Sequence, residues 1–501
     1  MPENTIAAQN KPEPHFIVVV PGYMGSLLRD KTSGEIVWLD FGALLKNPLA
    51  IGSAIDNLLE KLMYPPPGSN IQNNLEPAGI MNQVLVLPPL FKQEHYIRLL
   101  DKLQDWGYQV DPANPKPADL CAYTFSYDWR QDNRISGRQL GEFVKQKQAL
   151  HPGAKAWLIS HSNGGIISRW YIQKEGGKDQ VAKLFYMASP WDGAPKALDV
   201  MLNGFEAMGL KSLNFFKLGA RMGDLIRSFP SFYQLIPHEN PFLRNENNEV
   251  IDLFKDTRWL TSDQEKKFLA DGLQFNLDLA SAPGVETLCF YGVGKLTTTA
   301  GIASQKLNGG LGKIQWVSTS SGDGTVPERS GNHPWLDKTD RLPFVSSHGD
   351  IYINDSVLEF LRVEMIGKFK GEKRDAVFLP DFSVVFEPDG SFFAPGDPVH
   401  VWAKINTNGS DETEKPISKA TVKAWFVFRQ PLPGSTAGSA AGAVPADTAP
   451  VKLVESKKRK GYYEATLPAP AENGYYDVVA SVKIVKKPQI NLKELIVVEN
   501  A

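Results

Sequence analysis

The stretch Ala156-Trp157-Leu158-Ile159-Ser160-His161-Ser162-Asn163-Gly164-Gly165-Ile166-Ile167 carries more of the fold than any other in the chain. Residues 156–159 form a short apolar run, read as a buried strand, and residues 165–173 place Ile166, Ile167 and Trp170 on one helical face. A strand that turns this sharply into a helix strains the backbone of the residue at the turn, and the positions two before and two after it must be small. Gly164 fits the later position; Ser160 holds the earlier one, where glycine is usual, and is small but not ideal. The setting is that of an exposed nucleophilic serine, Ser162. Such a turn also arises without catalytic meaning, so the reading needs partners elsewhere in the chain.

Working outward, residues 16–20 make a β-branched run ended by Pro21-Gly22, and residues 120–127, 184–188 and 286–293 read as further strands. Helical patterns fall between them at 96–106 and 139–148, and at 357–369, expected to be the last helix of the first domain. Strands alternating with helices predict an α/β domain with a mostly parallel sheet covered on both faces. Residues 197–254 hold apolar helical stretches at 200–208 and 215–226 and no clear strand, which predicts a helical cap over about residues 197–260. Beyond residue 376 the pattern changes to alternating strands at 399–405, 421–428, 462–467 and 475–484, punctuated by turns such as Pro395-Gly396-Asp397. This predicts a C-terminal all-β, immunoglobulin-like sandwich. The Ala/Gly/Ser/Pro-rich segment 433–450 reads as a loop between two of its strands. The boundary is set near residues 371–374, dividing the chain into 1–372 and 373–501.

The totals exclude some functions. A net charge of −2 over 501 residues, with no basic stripe, argues against nucleic acid as a partner. The two cysteines, Cys121 and Cys289, lack a second ligand at zinc spacing and read as free buried thiols in a reducing compartment. No run of about 18 apolar residues is present, so no transmembrane helix is expected. The first 14 residues are polar and resemble no signal peptide, which sets the expected location as cytoplasmic. No metal or cofactor is expected.

A serine hydroxyl needs an imidazole to take its proton, and the imidazole needs a carboxylate to fix its tautomer. In a strand–turn–helix site of this kind the chain order is Ser, then Asp or Glu, then His. After Ser162 the first domain holds His238, His333 and His348, and only His348, in Ser346-Ser347-His348-Gly349-Asp350, lies just before the expected final helix. The acid is expected in Gly322-Asp323-Gly324-Thr325-Val326-Pro327, although an Asp between glycines also suits a plain turn. An oxyanion formed by attack needs two backbone N–H donors. Asn163, after the nucleophile, supplies one, and Tyr23 in Pro21-Gly22-Tyr23-Met24-Gly25-Ser26 is assigned the other.

These segments, with Tyr127-Asp128-Trp129-Arg130, Ser189-Pro190-Trp191-Asp192-Gly193-Ala194-Pro195, Pro230-Ser231 and Leu235-Ile236-Pro237, resemble the lecithin:cholesterol acyltransferase family of the α/β-hydrolase superfamily, in the family's order over roughly residues 16–365. The resemblance implies Ser162, Asp323 and His348 as a triad, Tyr23 and Asn163 as oxyanion hole, and Asp128 and Arg130 as residues bracing the site. It implies an acyl hydrolase or acyltransferase acting on a lipid ester, and leaves room for peripheral contact with a membrane surface. Ser160 departs from the family pattern, as does the C-terminal β region. Two other readings stay open: an esterase or polyester depolymerase acting on a non-lipid substrate, and an inactive hydrolase fold that binds a partner.

Overall fold

The computed structural model describes residues 14–38, 58–66, 73–81, 85–87, 91–93, 96–204, 223–305, 311–366, 382–389, 392–407, 415–430, 447–485, 487 and 489–499. The proposed boundary at 371–374, much of the expected cap helices at 200–208 and 215–226, and most of the loop at 433–450 lie outside these residues.

The run His15–Val20 forms an interior strand of a seven-stranded sheet whose central strand is Lys155–His161. The strand order is Arg341–Val345, Glu286–Val293, Val181–Met187, Lys155–His161, His15–Val20, Cys121–Thr124, Gln109–Val110, and every neighbouring pair is parallel. Phe16, Val18 and Val20 pack on one face, and Ile17 and Val19 on the other. Because both faces are covered, these strands read as unbroken apolar runs rather than alternating ones. Helices Asn133–Leu150 and Asn163–Lys174 bury Leu140, Val144, Ile167 and Tyr171 against the first face; Ile97–Asp105 and Asp355–Ile366 bury Leu99, Leu103, Val357 and Leu361 against the second.

The expected cap region contains a strand that its composition hides. Leu243–Asn245 pairs in parallel with Thr297–Gln305, which pairs antiparallel with Leu311–Thr319. Three residues are too few to show a period of two, so the segment reads as loop from sequence alone.

The C-terminal region is all β. A four-stranded sheet (Phe382–Pro388, Pro398–Thr407, Tyr462–Pro468, Val454–Glu455) and a five-stranded sheet (Phe392–Phe393, Ile490–Val498, Gly474–Lys483, Thr421–Gln430, Val451–Lys452) share one apolar core. Val384, Phe386, Val401 and Ala403 meet Val422, Ala424, Val478 and Ile496 there. No helix among the described residues is long and apolar enough to cross a membrane.

Candidate active site

Ser162 caps the helix Asn163–Lys174 with φ 53° and ψ −126°. A non-glycine residue at positive φ is strained, and the strain thrusts the side chain out at the carboxyl end of the sheet. The turn is tight enough that a Cβ on Gly164 would lie 2.5 Å from the carbonyl oxygens of Val20 and Pro21. Ser160 is tolerated because its hydroxyl bonds that of Ser168 at 2.8 Å, eight residues on in the following helix, with both residues fully buried. The departure from glycine is therefore satisfied internally.

The three residues expected as a triad converge. Ser162 Oγ lies 2.9 Å from His348 Nε2, and His348 Nδ1 lies 2.8 Å from Asp323 Oδ2. An ionised carboxylate only accepts, so Nδ1 carries the proton and Nε2 presents a lone pair to the serine hydroxyl. Asp323 is 2 % exposed. Its other oxygen accepts the N–H groups of Thr325 and Val326 at 2.9 and 2.7 Å, and its carbonyl accepts His348 N–H at 2.8 Å. Asp323 thus holds His348 by ring and by backbone. The other two histidines are placed elsewhere: His238 lies beside Asp192, 3.1 Å away, and His333 packs against Tyr186 and Trp335.

The two residues assigned to an oxyanion hole, Asn163 and Tyr23, differ in what their side chains do. Asn163 is the first residue of its helix, so its N–H has no intrahelical acceptor. Its side chain turns inward, donating to Tyr127 Oη at 3.2 Å and exchanging two 2.9 Å bonds with Asn133, which leaves only the backbone at the site. The ring of Tyr23 packs on Trp129 and Phe232.

Asp128 and Arg130 form a buried, two-point ion pair with bonds of 2.9 and 2.8 Å. Arg130 also donates to the Leu62 carbonyl and to Asn73, and Asn73 donates back to Asp128. Their alternation with Tyr127 and Trp129 has a structural meaning. Tyr127 donates through N–H to Ser26 Oγ and through its hydroxyl to Pro21 O, and Trp129 donates to Ser26 O. One face of this tetrapeptide fixes the 21–26 turn and the other binds Leu62 and Asn73.

Sequence reasoning missed Tyr96 and His161. His161 Nδ1 lies 2.8 Å from Tyr96 Oη, which accepts Gly22 N–H at 2.7 Å, and His161 Nε2 lies 2.9 Å from the His348 carbonyl oxygen. Burial, then the nearby His348, holds His161 well below the ordinary imidazole range, so it is neutral. The signal available was its place beside Ser162; nothing in the sequence names its partner 65 residues away.

Residues 90–275 match the family model for lecithin:cholesterol acyltransferase. The phosphatidylcholine-sterol acyltransferase of Rattus norvegicus is 25 % identical over 334 residues, covering 59 % of this chain and 71 % of that protein. That of Homo sapiens is 25 % identical over 331 residues, covering 58 % and 70 %. Among solved structures, the mature lipase BlEst2 of Bacillus licheniformis aligns over 72 % of this chain and 96 % of its own at 13 % identity and a TM-score of 0.31. The phospholipase PlaB of Legionella pneumophila aligns over 80 % and 86 %, at 13 % identity and a TM-score of 0.22. Residues 90–275 are thus similar to the lecithin:cholesterol acyltransferase family, over little more than a third of the chain.

Proposed function

We propose that the protein is a serine-dependent acyl ester hydrolase or acyltransferase that acts on a lipid through an acyl-enzyme on Ser162. The observation that carries this is the unbroken relay from Ser162 Oγ to His348 to Asp323 at 2.9 and 2.8 Å, with Ser162 held at positive φ. In this reading His348 Nε2 takes the serine proton as Oγ attacks the ester carbonyl. The N–H groups of Tyr23 and Asn163 receive the oxyanion. His348 then protonates the leaving alcohol, and water or an acceptor alcohol releases the acyl group. Asp323 stays ionised and stabilises the imidazolium.

The lipid substrate is inferred from the family match and from the printed activity of the relatives. Residues 1–372 would form the catalytic domain, with a cap near 197–260, and residues 373–501 an immunoglobulin-like sandwich. Labelling by a fluorophosphonate probe, lost in Ser162→Ala, tests the nucleophile and would rule out an inert binding fold if positive. A panel of esters from short soluble acyl chains to phospholipid vesicles tests the substrate class. Turnover confined to short or polymeric non-lipid esters would replace the lipid reading with that of an esterase or depolymerase.

A further inference from the structure

Where the strand Glu286–Val293 leaves the sheet, Lys295 joins four parts of the molecule. Its N–H donates to the Gly322 carbonyl at 3.0 Å, and its carbonyl accepts the Thr297 hydroxyl at 2.8 Å. That hydroxyl accepts Gly324 N–H at 2.8 Å. Both neighbours of Asp323 therefore hang on residues 295–297, Gly322 on the Lys295 backbone and Gly324 on the Thr297 hydroxyl. The Lys295 side chain runs into the C-terminal region, where its ammonium pairs with Glu494 on the strand Ile490–Val498. Glu387, on Phe382–Pro388, and Asp350, two residues past His348, are the other charges acting on it. Lys295 is 6 % exposed, so water does little to screen these charges. The two regions touch on either side of this cluster. A Cβ on Gly294 would lie 3.1 Å from the Val384 carbonyl oxygen, and Val345, three residues before His348, packs against the C-terminal core.

We propose that Lys295 is a positioning residue for the reaction at Ser162, and that the C-terminal β region, through Glu494, holds the loops of Asp323 and His348 in register. The proposal rests on the reading of Ser162, His348 and Asp323 as a triad. It gives the C-terminal region a part in catalysis without contact with substrate. A buried ammonium left without its carboxylate must find water or move, and the backbone that moves with it is the backbone that carries Asp323. Burial, and then Glu494, lift the Glu387 carboxyl to about 7, against the pull of Lys295.

The test uses the full chain, a soluble ester and a fluorophosphonate probe. Glu494→Gln, nearly isosteric and remote from Ser162, is expected to lower kcat by about ten- to a hundred-fold with KM unchanged, the loss typical of a slightly misplaced catalytic group. Lys295→Met is expected to do the same, the double variant to lose no more than either single one, and Lys295→Arg to recover most of the rate. Native kcat in a folded Glu494→Gln variant, or losses that multiply in the double variant, would overturn the proposal. If Lys295→Met does not fold, Glu494→Gln alone decides. Failure of the probe to label the native chain would instead count against the triad itself.

Discussion

His161 Nε2 donates a hydrogen bond to the backbone carbonyl of His348 at 2.9 Å, so the residue before the candidate nucleophile holds the candidate base. A carbonyl only accepts, so the proton is on Nε2, and Nδ1 must accept from the Tyr96 hydroxyl. The Tyr96 oxygen in turn accepts Gly22 N–H. One neutral ring thus spans the 21–26 turn, the elbow and the histidine loop. His161→Ala leaves the Tyr96 hydroxyl without an acceptor for its proton and the His348 carbonyl without its donor. The expected cost is about 2 to 6 kcal/mol of stability, from two buried polar groups at about 1 to 3 each, read by urea unfolding. A folded His161→Ala variant of native stability would mean that water replaces the ring without loss.

Acid should weaken the fold through two buried histidines. Burial depresses His161, and burial followed by the charges of Arg169 and Arg341 depresses His333 to about 2. Both have folded values below the unfolded one of about 6.5. The unfolded chain therefore binds more protons below that pH, so the stability these residues contribute is present above about 6.5 and is lost as pH falls beneath it, at about 1.4 kcal/mol per unit for each ring. Neither ring nitrogen of His333 has a hydrogen-bond partner among the described residues. Its ring packs on Tyr186 and Trp335, an environment that suits Phe. His333→Phe should flatten the dependence of unfolding free energy on pH between about 4 and 6 by one proton's worth of slope. An unchanged slope would show that His333 is already charged in the folded chain.

Removing the hydroxyl of Ser162 removes the bond-forming atom and little else, because the backbone strain at φ 53° is carried by the turn. Ser162→Ala should lower turnover of any ester by several orders of magnitude, to about the residual 10³- to 10⁴-fold over water left by binding and the oxyanion hole. Circular dichroism and the melting temperature should stay close to native. Near-native turnover in a folded variant would move the site away from this serine.

The ion pair of Asp128 with Arg130 invites the opposite outcome. Both groups are buried, and Arg130 binds Leu62 and Asn73 as well. Asp128→Asn leaves a guanidinium in the interior without its counter-charge, which costs about 3 to 5 kcal/mol. Melting should fall sharply, while kcat of the fraction that remains folded should fall far less than in Ser162→Ala. A stable variant with no activity would place Asp128 in the reaction rather than in the fold.

How much of this was legible in the sequence depended on whether a signal was local. Glu286–Val293 was read to the residue, because a parallel strand buried on both faces is a continuous apolar run bounded by turn residues. Pro398–Thr407 and Thr421–Gln430 were legible as alternation. The strands Leu311–Thr319 and Ile490–Val498 were not. The first is part-exposed along its length and carries Gly312, Lys313 and Gln315 among its apolar residues, so its period is blurred. The second begins after the proline at 488 and carries Lys493 and Glu494 in mid-strand, and Glu494 is there to meet Lys295. Within the site, the residues that sequence alone could nominate were those whose chain order is set by the chemistry. Tyr96, Thr297 and Lys295 act through contacts that only the fold brings together.

The choice of acid is the assignment most open to test, because a second carboxylate lies two residues past the base. Asp323 Oδ2 meets His348 Nδ1 at 2.8 Å, whereas Asp350 accepts the Ser347 hydroxyl and faces Lys295. Asp323→Asn keeps the shape and removes the charge. An amide at this position can donate to Nδ1, which favours the tautomer with the proton on Nε2, and Nε2 can then no longer accept from Ser162. The expected loss in kcat is about 10³- to 10⁴-fold. Asp350→Asn leaves that tautomer alone. Lys295 keeps Glu494, so the loss should be far smaller and, through the hold on the histidine loop, not zero. Both variants should be compared on the same soluble ester. If Asp350→Asn is the crippled variant and Asp323→Asn the mild one, Asp323 is a turn residue between two glycines, and the relay must be redrawn through Asp350.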